Sequence, residues 1–193
     1  MDILFENQDF FVINKPAGIL SEAVAKELKI SSTTHRLDKD TSGIMVIARN
    51  PEYRKRVQNL FKARKVKKQY LALVHGEIKK DGEINAPIIR SQGLKRGVAW
   101  GGREAITFYK VKRKYKNFTL LEVFPQTGRT HQVRVHMKYL GHPIVGDRFY
   151  KFKRLPNLGL KRQFLHAQEI SFLDYKFQAP LAQDLQSALN QLE

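Results

Sequence analysis

The chain contains no cysteine among its 193 residues. Disulfides, thiolate zinc sites and a thiol nucleophile are therefore excluded. Long apolar runs are also missing: the purest one spans residues 44–48, far short of the roughly 20 residues that a membrane-spanning helix needs. The first seven residues carry two acids and no basic flank, unlike a signal peptide. We therefore expect a cytoplasmic protein with no membrane partner.

Motifs that hold nucleotide cofactors or metals are missing too. No phosphate-binding loop ends in Gly-Lys-Ser/Thr, and no glycine pattern matches a dinucleotide-binding fold. His131 and His136 are five residues apart, which is a poor spacing for two metal ligands on one helix, and no acid is close to them in sequence. We therefore expect no cofactor and no metal.

Acidic residues are few: 18 Asp and Glu stand against 35 Lys and Arg, which gives a net charge of +17. A chain so cationic repels copies of itself and attracts polyanions, and nucleic acid is the abundant polyanion once a membrane is set aside. We expect a monomer that binds nucleic acid. The length fits a single domain over residues 1–193.

Apolar periodicity predicts interleaved strands and helices. Two apolar runs within residues 3–14 indicate a hairpin, and Asn50-Pro51 is typical of a helix start. Ser21 and Thr130 are candidate N-caps. The other predicted elements are strands at 44–48, 69–74, 106–114 and 118–124, helices at 131–140 and from Pro180 onward, and a glycine-rich basic loop at 91–102. Hairpin connections between several strands predict an α+β fold, with a mixed, mostly antiparallel β-sheet and flanking helices.

Two acids and three basic groups crowd the loop from His35 to Gly43, directly before the predicted buried strand. Loops held at the end of a rigid sheet often carry catalytic side chains. An aspartate here is a candidate nucleophile or general base if a cation keeps it ionised. The alternative is a solvated turn with a local salt bridge.

The segment from Thr127 to His136 is a second candidate. On a helix, His131, Arg134 and Lys138 share a stripe that differs from the apolar one of Val133 and Met137. Backbone N–H groups at the helix start, together with Arg129, suit a phosphate. The alternative is a basic surface helix, and on either interpretation Arg134 is not expected in the core.

Residues 54–68 contain eight cations and no acid. Like charges at i, i+4 repel one another, and phosphate groups would relieve that repulsion. We interpret this basic segment as a face for the backbone of a nucleic acid rather than a merely soluble helix face. The candidate contacts are Arg54, Lys55, Lys62, Lys65 and Lys68.

Together these segments resemble the RluA-type pseudouridine synthases. HRLD at 35–38 followed by TSG at 41–43 resembles the family's catalytic-aspartate motif, and KQYLALVHG at 68–76 resembles the strand with its active-site tyrosine. PQTGRTHQVRVH at 125–136 and GHPIVGD at 141–147 resemble its third motif, with weaker echoes at 12–18 and 165–167. The similarity spans nearly the whole chain in family order, without the S4-type RNA-binding domain that many members carry.

The resemblance implies an isomerase that breaks the C1′–N1 bond of a uridine in structured RNA, turns the base and rejoins it through C5. It implies that Asp38 is the catalytic carboxylate, that Arg134 pairs with Asp38, and that Tyr70 packs against the uracil. Arg36 would fill the gap left by the flipped nucleotide. Arg129, His131 and Gln132 are the further substrate-binding candidates.

Three questions stay open at this point. The first is whether Asp38 attacks the sugar, attacks the base or takes a sugar proton. The second is whether the substrate is ribosomal or transfer RNA. The chain is also compatible with a non-catalytic RNA-binding module of the same fold. A DNA-binding or ribosomal structural protein would explain the charge, but not the acid-bearing loop.

Overall fold

The computed structural model describes residues 1–91 and 95–193, which form two compact units. The first unit comprises Met1–Lys68 and His166–Ala182, and the second comprises Gln69–Leu165 and Gln183–Glu193. The elements in chain order are β1 Asp2–Glu6, β2 Phe10–Lys15, α1 Ser21–Glu27, β3 Ser42–Ala48, α2 Pro51–Lys62, β4 Lys67–His75, β5 Gly82–Asn85, β6 Ile88–Arg90, β7 Arg96–Val98, β8 Ile106–Tyr115, β9 Phe118–Pro125, α3 Gln132–Tyr139, β10 Leu165–Phe172, β11 Tyr175–Gln178 and α4 Gln183–Asn190.

In the first unit, β1, β2 and β3 pair antiparallel in sequence, and β10 carries β11 as an antiparallel neighbour. The parallel contact of β3 with β10 joins Ser42 to His166 and Gly43 to Ala167. Gly43 has a φ of +111°, and a Cβ there would lie 2.2 Å from the Ala167 carbonyl oxygen. This close approach therefore requires glycine at the start of β3.

The apolar core of the first unit lies between its strands and α2. Tyr53 and Val57 of α2 are buried against Phe10, Val12 and Val46, and the rings of Phe10 and Tyr53 stack at 5.2 Å. The helix starts as predicted, because the Asn50 side chain accepts a hydrogen bond from the Tyr53 N–H and Pro51 is the first helical residue. This packing holds β3, and with it the loop that precedes β3.

In the second unit, β4, β9, β8 and β5 form antiparallel pairs in that order, and β6 and β7 form a separate hairpin. Ile88 of β6 and Ala105 pack with Val135 of α3 and Tyr150, so the hairpin rests on α3. Antiparallel pairing predominates in both units, and the parallel β3–β10 contact makes the pairing mixed. The predicted α+β class is confirmed.

Two predicted N-caps are wrong. Leu20 is the residue that precedes α1, and Ser21 is its first residue, with a buried side chain that bonds to Leu37. His131 precedes α3 with a φ of +58°, so Thr130 is outside the cap position. The Ser21 hydroxyl bonds to the backbone of Leu37, 16 residues away, instead of capping its own helix.

Other boundaries differ from the sequence prediction. The last helix begins at Gln183 rather than Pro180, and part of the predicted loop at 91–102 is strand β7, while residues 92–94 lie outside the described part of the chain. Short strands with little apolar alternation escaped prediction, among them β5, β6 and β11. No helix within residues 1–91 and 95–193 has the length and apolar character to cross a bilayer.

Candidate active site

Asp38 lies half-buried at the start of a tight turn that leads into β3. The Thr41 N–H donates to the Asp38 carbonyl oxygen at 3.0 Å and closes this turn. On one side, the Ser21 hydroxyl donates to the Leu37 carbonyl and accepts from the Leu37 N–H, both at 3.0 Å. On the other side, the Lys39 carbonyl accepts from the Gly18 N–H at 3.0 Å. The backbone is thus fixed immediately before and after Asp38.

A buried ammonium group completes this arrangement. Lys15 is fully buried, and its Nζ donates to the carbonyls of Pro16, Ile19 and Lys39 at 2.7, 2.8 and 3.0 Å. Burying a charge is costly unless its hydrogen bonds are satisfied, and all three ammonium protons of Lys15 have acceptors. Lys15 therefore ties the end of β2 to the Asp38 turn. The signal in the sequence was a lysine at the end of a strongly apolar run, directly before proline, to which no role was assigned.

His35 and Thr34 attach the loop to β3. The Val46 N–H donates to His35 Nε2 at 2.9 Å, and the Ala48 N–H donates to Thr34 Oγ1 at 2.8 Å. Burial, and to a smaller extent the positive charge of Lys68, lower the pKa of His35 to about 3. The imidazole is therefore neutral at physiological pH and acts as an acceptor for β3 rather than as a proton donor.

Arg36 is exposed and lies 3.7 Å from the carboxylate of Glu22. An exposed pair at this distance contributes little to stability, so the guanidinium moves at little energetic cost. Tyr70 is half-buried on β4, where it pairs with Val123 of β9. The roles that the resemblance implies for Arg36 and Tyr70 stay predictions.

Arg134 is buried, contrary to the expectation that it would lie outside the core. Its Nε donates to Oδ2 of Asp147 at 2.6 Å and its Nη2 donates to Oδ1 at 3.0 Å. The Arg134 guanidinium also lies 5.1 Å from the centre of the Tyr150 ring. The helix stripe failed as a guide because α3 is buried on nearly all sides, from Gln132 to Met137.

Asp147 is ionised in this pair. Burial raises the pKa of its carboxyl, but the hydrogen bonds and charge of Arg134, with the N–H groups of Tyr150 and Phe149, lower it below the ordinary value. Sequence reasoning gave Asp147 no role. The available signal was that Asp147 is the single acid between Glu122 and Glu169. The pairing of Arg134 with Asp38 stays a prediction.

Both the oxygen and the nitrogen of the Gln132 side-chain amide are hydrogen-bonded within the second unit. Its Oε1 accepts from the Thr127 hydroxyl at 2.7 Å and from the Arg129 N–H at 3.0 Å. Its Nε2 donates to the Ile106 carbonyl and the Thr107 hydroxyl, each at 2.9 Å. These bonds shape the turn before α3, and the predicted contact of Gln132 with substrate stays a prediction.

The neighbours of Gln132 are more accessible. Arg129 is half-buried, and its Nε donates to the Glu104 carbonyl at 2.9 Å. His131 has a left-handed backbone, and its Nδ1 lies 2.9 Å from the Tyr150 hydroxyl. Substrate binding by Arg129 and His131 stays a prediction.

The basic segment 54–68 is not one helical face. Helix α2 ends at Lys62, Lys65 follows in a turn, and Lys68 lies on β4. Lys55, Lys62 and Lys65 are exposed, whereas burial lowers the pKa of Lys68 to about 8. Arg54 is half-buried and donates to the Ser32 hydroxyl. Lys55, Lys62 and Lys65 are thus accessible and Lys68 is less so, and contact of the segment with RNA backbone stays a prediction.

A family model described as RNA pseudouridylate synthase matches residues 9–139. An uncharacterized RNA pseudouridine synthase of Helicobacter pylori is 41% identical over 180 residues, which cover 92% of this chain and 73% of that protein. The ribosomal large subunit pseudouridine synthase D of Xylella fastidiosa is 36% identical over 222 residues, covering 96% of this chain and 67% of that protein. The solved structure of human RNA pseudouridylate synthase domain containing 4 superimposes with a TM-score of 0.83 at 26% identity, covering 98% and 92% of the two chains.

Proposed function

Because the chain belongs to the RNA pseudouridylate synthase family, and is therefore an isomerase that forms pseudouridine in RNA, we propose that it modifies RNA of the large ribosomal subunit with Asp38 as its essential carboxylate. The observation that carries the role of Asp38 is the double clamp on its backbone, by Ser21 at Leu37 and by Lys15 and Gly18 at Lys39. Relatives named as large-subunit synthases, such as the one from Xylella fastidiosa, support the choice of RNA.

The reaction needs no external reactant. The C1′–N1 bond of the uridine breaks, a C1′–C5 bond forms, C5 loses a proton and N1 gains one. Asp38 would act on the sugar or the base as nucleophile or base, which requires an ionised and oriented carboxylate. Arg134 would supply the adjacent positive charge, and Tyr70 would hold the uracil. No cofactor or metal is part of this proposal.

The uridine must leave its stack to reach a carboxylate held in a turn. Arg36 would take the vacated place, because its side chain is exposed and its 3.7 Å contact with the Glu22 carboxylate is weak. Arg129 and His131, next to α3, would contact the flanking phosphate groups. We further propose that residues 1–193 act as one catalytic domain, as a monomer in the cytoplasm, which the mutual repulsion at a net charge of +17 supports.

The test is to map pseudouridine in total RNA from a strain that lacks the protein. We expect one or more sites in large-subunit RNA to revert to uridine, and to be restored when the gene is returned. Loss of sites in transfer RNA alone would show that the substrate is transfer RNA, and the assignment as a pseudouridine synthase would stand. A pseudouridine map that is unchanged in every RNA class, with RNA binding intact, would support the non-catalytic binding module.

A further inference from the structure

The chain has a single tryptophan, Trp100, and its side chain is 96% exposed. Tryptophan is normally among the more buried residues, because its large ring gains much from leaving water. A fully exposed indole in a well-defined turn therefore adds nothing, through burial, to the stability of its own fold. Its placement points to a ligand that covers the ring.

The turn that carries Trp100 is tightly defined. The Gly102 N–H donates to the Ala99 carbonyl at 3.2 Å, and Gly101, with a φ of +78°, occupies the position of the turn that favours glycine. A Cβ on Gly102 would lie 2.8 Å from the Ile88 carbonyl carbon. Both glycines are thus needed to bring the chain from the end of β7 past the start of β6 with Trp100 at the tip.

The hairpin below this turn is anchored within the second unit. The Ala99 N–H donates to the Pro87 carbonyl at 3.2 Å, and Ile88 packs with Val135 and Tyr150. The Arg96 N–H donates to the Tyr150 hydroxyl at 2.8 Å. Since the Tyr150 ring also lies against the Arg134 guanidinium, the hairpin and the Arg134–Asp147 pair share one support.

The surroundings of Trp100 are cationic. Residues 87–104 contain four basic residues and one acid, Glu104. Arg90, Lys95 and Arg103 are exposed, and Arg96 is half-buried. An aromatic ring among cations is the arrangement with which proteins bind unpaired nucleotides, because each base stacks on the ring while its phosphate meets a positive charge.

We propose that Trp100 is a stacking platform for an unpaired base of the RNA substrate. This inference rests on the proposed function, since it takes RNA as the ligand. It adds that the substrate is single-stranded at the nucleotide that meets the β6–β7 hairpin. Stacking on an indole does not select one base, so Trp100 contributes affinity and placement rather than sequence choice.

Because Trp100 is the single tryptophan of the chain, its fluorescence reports directly on the proposed contact. The purified protein is titrated with an oligouridylate of about 12 nucleotides and, separately, with a duplex of the same length, while indole fluorescence is recorded. We expect saturable quenching by the single strand and much less quenching by the duplex. Binding of labelled oligouridylate is followed in parallel by anisotropy, so that contact with RNA is measured independently of the indole.

Three variants complete the test. Trp100→Ala is expected to weaken binding of the single strand by about 5- to 150-fold, and Trp100→Phe to retain most of the affinity because it keeps an aromatic face. Tyr139→Ala, which removes another exposed aromatic ring of the same unit (62% exposed), is the matched control and should leave affinity unchanged.

The outcomes separate the two proposals. RNA binding by anisotropy with unchanged indole fluorescence, or equal affinity of Trp100→Ala and wild type, would overturn the stacking role and leave the proposed function intact. Fluorescence that changes with protein concentration in the absence of RNA would assign the ring to a second copy of the chain and also overturn the proposal. Absence of binding to any RNA, together with an unchanged pseudouridine map, would remove the proposed function itself.

Discussion

Arg134 and Asp147 form a two-point ion pair whose side chains are only 5% and 0% exposed. The two hydrogen bonds fix the plane of the guanidinium, and the N–H groups of Phe149 and Tyr150 donate to the same carboxylate at 2.9 and 3.0 Å. A charge placed in this way cannot rotate toward solvent. The pair therefore holds the guanidinium in one orientation within the second unit.

Removing one partner of this pair should destabilise the protein strongly. Asp147→Asn keeps the shape of the side chain but leaves the Arg134 charge buried without its counter-ion, and we expect the free energy of unfolding to fall by about 3–5 kcal/mol. The measurement is urea unfolding at neutral pH. Glu193→Gln, which breaks the pair of Arg113 with Glu193, whose side chains are 55% and 53% exposed, is the matched control and should cost at most about 1 kcal/mol. Equal losses in the two variants would show that burial does not set the strength of the first pair.

Ser21 should act on the reaction through the backbone of Leu37. Ser21→Ala leaves the buried N–H and carbonyl of Leu37 without their partner, which we expect to cost about 1–3 kcal/mol of stability. Because Asp38 follows directly, kcat should fall while KM for RNA stays the same. A variant that loses the expected stability yet keeps the wild-type kcat would separate the Ser21 contact from the positioning of Asp38.

The neutral state of His35 should make stability depend on pH. The pKa of His35 is about 3 in the folded protein, against 6.5 for the free side chain, so between these values the unfolded chain binds a proton that the folded chain does not. The contribution of the neutral His35 to the free energy of unfolding is therefore complete above pH 6.5. It is lost as pH falls toward 3, with a slope of up to about 1.4 kcal/mol per pH unit.

His35→Gln isolates this effect, because the glutamine amide oxygen is able to accept from the Val46 N–H but does not titrate. The free energy of unfolding is measured from pH 7 to 5 for both proteins. His75 and His136, whose pKa values burial also lowers, contribute equally to both curves. We expect a steeper fall in wild type, and parallel curves would place His35 in its ordinary, protonated state below pH 6.

The exposed lysines of the basic segment should grip RNA by charge alone. Lys62→Gln combined with Lys65→Gln should weaken binding to all RNAs alike, and each lost phosphate contact should flatten the log–log dependence of affinity on salt by about 0.7–0.9. Lys79→Gln with Lys80→Gln removes the same charge from exposed positions of the other unit. The control should leave the slope nearly unchanged. A comparable flattening by both pairs of substitutions would show that the segment acts only through the net charge of the protein.

Local rules explain what the sequence predicted well. The helix start at Asn50-Pro51 and the hairpin of β1 and β2 each depend on residues close together in the chain, and the structure confirms them. The loop around Asp38 is a candidate site from sequence because its charges stand directly before a predicted buried strand, and loops at the ends of strands often carry catalytic side chains. These signals need no knowledge of distant contacts.

Several of the side-chain contacts that escaped prediction join distant residues. Ser21 meets Leu37 and Lys15 meets Lys39, 16 and 24 positions apart, and Arg134 meets Asp147 on the far side of a turn. A helical stripe assigns Arg134 to the surface only if one face of α3 is exposed, and tertiary packing covers that face. Lys68 was grouped with its basic neighbours, although the change from helix to strand after Lys62 turns it toward Phe61.

The most direct test of the account is the activity of Asp38→Asn on RNA of the large ribosomal subunit. The amide keeps the size of the carboxylate, and the clamps on Leu37 and Lys39 involve only backbone and other side chains, so folding and RNA binding should match wild type. Pseudouridine is quantified after incubation of unmodified RNA with each purified protein. We predict full conversion by wild type and none by Asp38→Asn, whereas turnover by the variant above the level of a no-enzyme control would contradict the assignment of Asp38 as the essential carboxylate.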